Sequence, residues 1–416
     1  MSPVYPQWPR DACDDLSSRL REMIPISYAL KASYFTHRRS PVSPTSSLAR
    51  PLARSYRSSR NSTPAGKPSL RAAGPDARMR ALLSRFGTNS MSWMTTWPGN
   101  RYWFEPEADG FVAFRVIGRV AVTTGEPVGP DPVRTLTGFL GNCREQGWTP
   151  CLYAVGANTR ALLASAGWTC LQIAEDATIP LGSLAFTGKT YQDARTALNR
   201  ARAAGVSARW IDYRGAAAET TAQIEEVCAR WLAEKGLPEL GFTLGNLASL
   251  DDPRVRVLVA VDAAGRVHAV TSWLPVHRGG TVIGWTLDLQ RRLPDGFGCA
   301  MDFLIASALL TLQDEGAEFV SLSGVPLAYR SRIETRHTWL QGVLRATARV
   351  LEPLYGFASL AAYKAKFRPA YSPLYICFPR RRHAPRVGAA VAGAYLPGRR
   401  AELMLATARA FANRTS

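Results

Sequence analysis

The chain writes one succession of hydrophobic periodicities twice, and that order limits the folds open to it. In the second half, helices are expected at Tyr191–Ala204 and Ala217–Lys235, ahead of strands at Arg254–Val261, Arg266–Pro275 and Thr281–Leu289. A helix at Cys299–Glu315, a strand at Glu318–Ser321, a helix near Leu351–Ala365 and an apolar strand at Leu374–Phe378 follow. The first half runs the same way: a helix at Ala77–Phe86, then strands at Arg101–Glu105, Gly110–Val116 and Arg119–Thr124. A helix (Pro132–Gln146), a strand (Pro150–Val155), a helix (Asn158–Ala166) and an extended stretch (Trp168–Pro180) complete it. Gly-Glu-Pro-Val-Gly-Pro at 125–130 punctuates the first meander. Strands and helices mixed in this order predict an α/β (α+β) sandwich, without a residue-level internal repeat.

At 416 residues the chain has room for two or three cores, and its net charge of +19 favours an anionic partner, either nucleic acid or a membrane surface. The seven cysteines are scattered and form no C-x-x-C pair, and the five histidines are not at ligand spacing. Reduced thiols are expected, with neither a disulfide framework nor a metal centre. No apolar run reaches the roughly 18 residues that span a bilayer. A cytoplasmic protein, at most peripheral on a membrane, is the expectation. His37–Gly74 carries eight Arg/Lys and no acid among Ser and Pro, a composition that cannot bury a core. It predicts a basic arm able to meet head groups or tRNA phosphates, at about 1 kcal/mol per residue near an anionic surface, or an inert linker. Asp14–Tyr34 ahead of it reads as a short amphipathic helix, Arg380–Arg386 as a basic tail and Arg399–Ala412 as a last helix.

Chemistry-bearing residues gather in a few places. After the acidic-flanked strand Ala174–Pro180, a Phe-Thr-Gly-Lys189 turn enters a helix that sets Arg195, Asn199 and Arg202 on one face, suited to a polyanion or an activated ester. On the alternating strand ending at Leu289, Trp285, Leu287 and Leu289 are expected to face one way and Thr286 and Asp288 the other. Asp288, three residues before Arg291 and followed by Arg292, is placed to enter a cleft; an Asp–Arg pair closing a loop fits equally. The start of the next helix, with Asp302, offers backbone N–H groups to an anion. Trp231–Leu244 holds Lys235, Glu239 and Phe242 on a loop, and Tyr363–Tyr375 interleaves Lys364, Lys366 and Arg368 with aromatics. There is no G-x-S-x-G elbow, Walker loop or H-E-x-x-H, and no [QR]-x-x-G-x-[GA] loop to grip coenzyme A.

Helix, three-stranded meander, helix, strand, helix, strand is the order of the acyl-CoA N-acyltransferase (GNAT) fold, and finding it twice predicts a tandem pair. The expected division is a basic arm over 1–80, GNAT-like domains over 81–185 and 186–380, and a basic tail over 381–416. Roughly Phe86–Pro379 resembles the synthase domain of the phosphatidylglycerol lysyltransferases, the soluble half of the multiple peptide resistance factor. The resemblance rests on Phe114-Arg-Val-Ile-Gly118 with Thr124-Gly-Glu-Pro-Val128, Glu145-Gln-Gly-Trp148, Ala174–Arg202, Trp231-Leu-Ala-Glu-Lys235, and Gly241-Phe-Thr-Leu-Gly245. Asp288-Leu-Gln-Arg291, Met301-Asp-Phe-Leu304, Pro326-Leu327, and Tyr363-Lys-Ala-Lys-Phe367 with Pro369 complete it, in order.

The resemblance implies transfer of an amino acid from aminoacyl-tRNA to a phosphatidylglycerol hydroxyl, with no metal and no cofactor. It implies that Asp288 orients or deprotonates the hydroxyl, Arg291 holds the phosphate or the oxyanion, and Lys366 adds charge. A preorganised cation of that kind contributes about 3–4 kcal/mol. Lys189, Arg195, Asn199, Arg202, Glu239, Phe242, Arg292, Asp302 and Lys364 are the implied substrate-binding residues. Family members carry a membrane domain ahead of the synthase, where residues 1–80 read as the basic arm. The usual Leu–Gly reads Leu322–Ser323 and the usual Pro–Arg–Tyr reads Pro373-Leu-Tyr375, which leaves the acceptor open. An acyl-CoA-dependent N-acyltransferase and a non-catalytic tRNA- or membrane-binding module are the competing expectations.

Overall fold

The computed structural model describes residues 74–235, 241–326 and 357–395. The amphipathic segment at 14–34, most of the basic arm, Glu239, Leu327 and the helix expected at 399–412 lie outside the described residues.

After α1 (Pro75–Phe86) and a short 3-10 turn (Ser92–Thr96), the chain forms the meander β1 (Arg101–Phe104), β2 (Phe111–Ile117) and β3 (Val120–Thr123). α2 (Pro132–Glu145), β4 (Thr149–Val155), α3 (Ala157–Ser165) and β5 (Thr169–Pro180) follow. α2 starts where it must: Pro132 opens it, and the Asp131 carboxylate accepts the Arg134 N–H. The second half contains α4 (Gln192–Ala203), β6 (Ser207–Ile211), α5 (Ala218–Lys235), β7 (Arg256–Val261), β8 (Val267–Arg278) and β9 (Thr281–Arg292). It ends with α6 (Ala300–Asp314), β10 (Phe319–Pro326), α7 (Phe357–Ala365), β11 (Ala370–Phe378) and α8 (Ala384–Tyr395). Two elements escape the sequence pattern: β6, five residues without clear alternation, and α8, whose apolar run is too rich in Ala and Gly to announce a helix.

All eleven described strands form one sheet, in the order β1-β2-β3-β4-β11-β5-β10-β9-β8-β7-β6. The order is symmetric about the antiparallel pair β5/β11. In each half a meander leads to a parallel neighbour, β3 to β4 and β9 to β10. The closing strand of each half then pairs antiparallel with the other half, β11 with β4 and β5 with β10. This is the tandem GNAT plan, with the last strands exchanged; β6 extends the second edge. β8, apolar and buried along almost its whole length, reads as a strand covered on both faces. One face of the second half packs on α6, the other on Ile224, Val227 and Cys228 of α5.

The alternation expected along β9 holds only as far as Leu287. Thr271 of β8 lies opposite Gln290, but Trp273 lies opposite Leu287, so β9 carries one residue more than β8 in that interval. Ser272 takes up the irregularity by accepting the Leu289 N–H at 3.0 Å. This β-bulge reverses the phase of the strand. Leu287 packs with Trp273 under α6, whereas Leu289 joins Val270 under α5 on the opposite face. Asp288 sits at the reversal.

Candidate active site

A regular strand puts residues three apart on opposite faces, which would separate Asp288 from Arg291. The bulge brings them together. Arg291 lies opposite Val270 and so on the α5 face, with Asp288 just before the phase change. Arg292, opposite Ala269, takes the other face and donates to the Leu293 carbonyl at 3.3 Å.

Asp288 also marks where the sheet parts. The ladder between β9 and β10 ends at Thr286 and Ser321; beyond it β10 bulges at Ser321/Gly324 and runs with β5. The Asp288 carboxylate accepts the Gly245 N–H at Oδ1, 2.9 Å away, while its buried Oδ2 has no hydrogen-bond partner. A Cβ at residue 245 would stand 1.7 Å from Oδ2, so only glycine lets the backbone come this close. Burial pushes Asp288 up to about 7, against the opposing pull of the Gly245 N–H and the Arg291 charge. Arg291 is stacked on Trp231 of α5, its guanidinium carbon 3.8 Å from the ring centroid, and donates to the Gln290 carbonyl at 3.3 Å.

The loop bearing Gly245 is clamped from behind. Gly241 N–H donates to the Tyr395 carbonyl at 3.0 Å, and the Tyr395 hydroxyl bonds Thr243 Oγ1 at 2.5 Å and the Tyr153 hydroxyl at 2.9 Å. Phe242, expected among the substrate-binding residues, is a packing anchor. It is 1% exposed, has φ +66°, and its ring lies 5.3 Å from both Tyr153 and Tyr395. An enclosed ring has no face left for a substrate.

A buried polar row crosses three strands and ends at Thr286, two residues before Asp288. Asp176 of β5 accepts the hydroxyls of Ser90 (2.8 Å), Thr178 (3.2 Å) and Ser321 of β10 (2.6 Å), and Thr286 of β9 donates to the Ser90 carbonyl at 2.9 Å. Lys364, also expected at the substrate, is instead 3% exposed and spans the β10 bulge, donating to the carbonyls of Ser323 (3.3 Å) and Gly324 (3.0 Å). Burial lowers it to about 8 while Asp176 opposes the shift. Its hydrogen bonds hold the left-handed Ser323, φ +66°, in place. Lys366 pairs with Asp302 in the first turn of α6 at 3.2 Å and lies 5.3 Å from the Tyr363 ring; it forms no ion pair with Asp288.

The face of α4 is built as the spacing predicts, with Ala194, Ala197 and Ala201 buried and Asn199 and Arg202 exposed. Arg195 is drawn back to its own turn, donating to the carbonyls of Phe186 (3.3 Å) and Gly188 (2.6 Å), and Lys189 is exposed. Sequence reasoning assigned no role to Trp231, Gly245 or Asp176. The signals were present: a Trp one turn past the apolar stripe of α5, a second glycine in a short loop, and an acid inside a strand. Among the described residues no group of three His, Cys, Asp or Glu could hold a metal ion, and no helix is long and apolar enough to cross a membrane.

A bulged strand thus presents a half-satisfied carboxylate at the parting of a duplicated GNAT-like sheet. The chain belongs to the family described as phosphatidylglycerol lysyltransferase, C-terminal, whose model matches residues 80–378. It is 39% identical, over 80% of its length, to an uncharacterized protein of Corynebacterium glutamicum, of which it covers 42%. Over 76% of its length it is 25% identical to the lysylphosphatidylglycerol biosynthesis bifunctional protein LysX of Mycolicibacterium gilvum, of which it covers 29%. The chain thus spans less than half of these relatives. In fold it is similar to the C-terminal domain of a putative lysylphosphatidylglycerol synthetase from Agrobacterium fabrum, with a TM-score of 0.66 and 21% identity over 78% of this chain and 98% of that one.

Proposed function

We propose that the protein transfers an aminoacyl group from aminoacyl-tRNA to a hydroxyl of phosphatidylglycerol or a closely related anionic lipid. The observation that carries this reading is the buried, unpartnered Oδ2 of Asp288, on the same face as Arg291. Oδ2 takes the proton of the lipid hydroxyl as its oxygen attacks the carbonyl carbon of the aminoacyl ester. The tetrahedral intermediate carries one negative charge, which Arg291 balances. Collapse breaks the bond to the ribose oxygen of the tRNA, and Asp288 returns its proton to that leaving oxygen. One ester is made and one broken, so energy is conserved without a nucleotide or a redox partner. A carboxyl near pKa 7 suits both proton steps at neutral pH.

The net charge of +19 supports work on polyanionic substrates at a membrane surface, with the protein on the cytoplasmic side where charged tRNA is found. Lys189, Asn199 and Arg202, exposed around α4, supply charge and hydrogen bonds for a phosphate backbone. The Asp302–Lys366 pair flanks the start of α6 and supports substrate indirectly. The test is incubation of purified protein with labelled aminoacyl-tRNAs and phosphatidylglycerol vesicles. A labelled lipid whose formation stops after RNase treatment is the expected result; no labelled lipid with any amino acid or anionic lipid overturns the reading.

A further inference from the structure

We propose that Trp231 is a positioning residue, its indole face holding the Arg291 guanidinium on the Asp288 side of the sheet. The inference deepens the reading above, since it concerns how that site is held together.

Three observations carry it. The Arg291 guanidinium carbon lies over the ring, 3.8 Å from its centroid, close enough for attraction between a cation and the negative face of an indole. Trp231 stands seven residues after Ile224 and three after Cys228, so it continues the buried stripe by which α5 packs on β7–β9. The stripe is apolar up to Cys228, and its next member is half-buried and meets a charge. Finally, Arg291 reaches this face only because of the bulge, and there its guanidinium meets α5 through Trp231. Lys235 of α5, one turn on, lies 5.8 Å from the same ring and is a second cation beside it. Among the described residues Arg291 is the charged group acting on Asp288, and the Gly245 N–H is its hydrogen-bond donor.

An arginine held close stabilises the Asp288 carboxylate; one that swings away lets the carboxyl keep its proton to higher pH. The test is a carbon-13 NMR titration of the Asp288 carboxylate in the full chain, assigned by its loss in Asp288→Asn. Trp231→Leu is expected to raise the midpoint by at least half a pH unit, as Arg291→Gln does, and Trp231→Phe, which keeps an aromatic face, to stay within about 0.2 of the native value. Trp231→Leu placed on Arg291→Gln adds nothing further. In the transfer assay Trp231→Leu lowers kcat about tenfold with a smaller change in KM. A native midpoint in Trp231→Leu, or an equal shift in Trp231→Phe, overturns the proposal. Should Trp231→Leu fail to fold, Trp231→Met, which also removes the aromatic face, takes its place with the same outcomes as Trp231→Leu. The titration needs no turnover. Shifted midpoints in a protein that labels no lipid would uphold the positioning role and reject the transfer reaction.

Discussion

The chain builds one corner twice, and the two versions differ in what they leave open. In the first half, β3 and β4 pair as far as Val122 and Cys151, and the corner beyond is knitted shut. Thr123 Oγ1 accepts the Tyr153 N–H at 3.1 Å, Gly125 N–H donates to the Tyr153 carbonyl at 3.1 Å, and Glu126 meets the start of α3. Both Glu126 oxygens are occupied, by the Gly156 N–H at 2.7 Å and the Thr159 hydroxyl at 2.5 Å. In the second half the ladder ends at Thr286 and Ser321, the strands separate, and Asp288 keeps one oxygen without a donor. Burial raises both acids. A carboxylate that caps a helix is structural; one left half-satisfied can take a proton from something else.

Breaking each acid in turn is the strongest test of the contrast. Asp288→Asn is expected to lower lipid labelling by about 10²–10⁴-fold while the protein stays folded. Glu126→Gln should leave transfer within a few-fold and shift thermal unfolding instead, since it weakens hydrogen bonds worth about 1–3 kcal/mol. Equal losses of activity in the two variants would erase the distinction.

The next effect sharpens the geometry. Gly245→Ala places a methyl against Oδ2 and must move either the loop or the carboxylate. Turnover should fall by roughly 10²-fold, the scale set by about an ångström of misplacement, with tRNA and lipid affinities nearly unchanged.

Two pH experiments follow. A base that titrates near 7 makes kcat/KM rise about tenfold per unit below that point and level off above it. Glu126, having no free oxygen, should add no limb of its own. The smallest effect is on stability, and its sign opposes function. The folded value of Asp288 lies above the ordinary 3.8, so folding binds a proton that the unfolded chain releases, and stability falls as pH climbs from about 4 to about 7. Asp288→Asn removes that cost and is expected to unfold at higher temperature at pH 8, with little difference at pH 3.5. Three units correspond to an upper bound of about 4 kcal/mol, less for a residue that keeps some solvent contact.

Most elements were legible because each carries its own signal. Short runs of apolar and β-branched residues mark β2, β7 and β8; a 3.6-residue period marks α2 and α5; Gly125 and the prolines around it mark the turn after β3. Four residues show where such reading stops. Lys364 and Lys366 are equally basic and two residues apart, yet one is sealed onto the carbonyls of Ser323 and Gly324 and the other reaches Asp302 at the surface. Phe242 looks like any loop aromatic until α8 and Tyr153 close over it. Asp176 looks like a solvated acid until Ser90 and Ser321 arrive from segments 86 and 145 residues away in sequence.

The amino-acid order alone determined the duplicated succession of helices and strands, the basic character and the short set of acids and cations able to do chemistry. These follow from local periodicity and composition, which act within a few residues. Only the tertiary structure decided which of them meet. The extra residue in β9 is visible only against β8, because a bulge is a mismatch between two strands. That one-residue slip sets Asp288 and Arg291 on a common face and turns Arg292 away, because side chains alternate with a period of two and a single insertion reverses every residue beyond it.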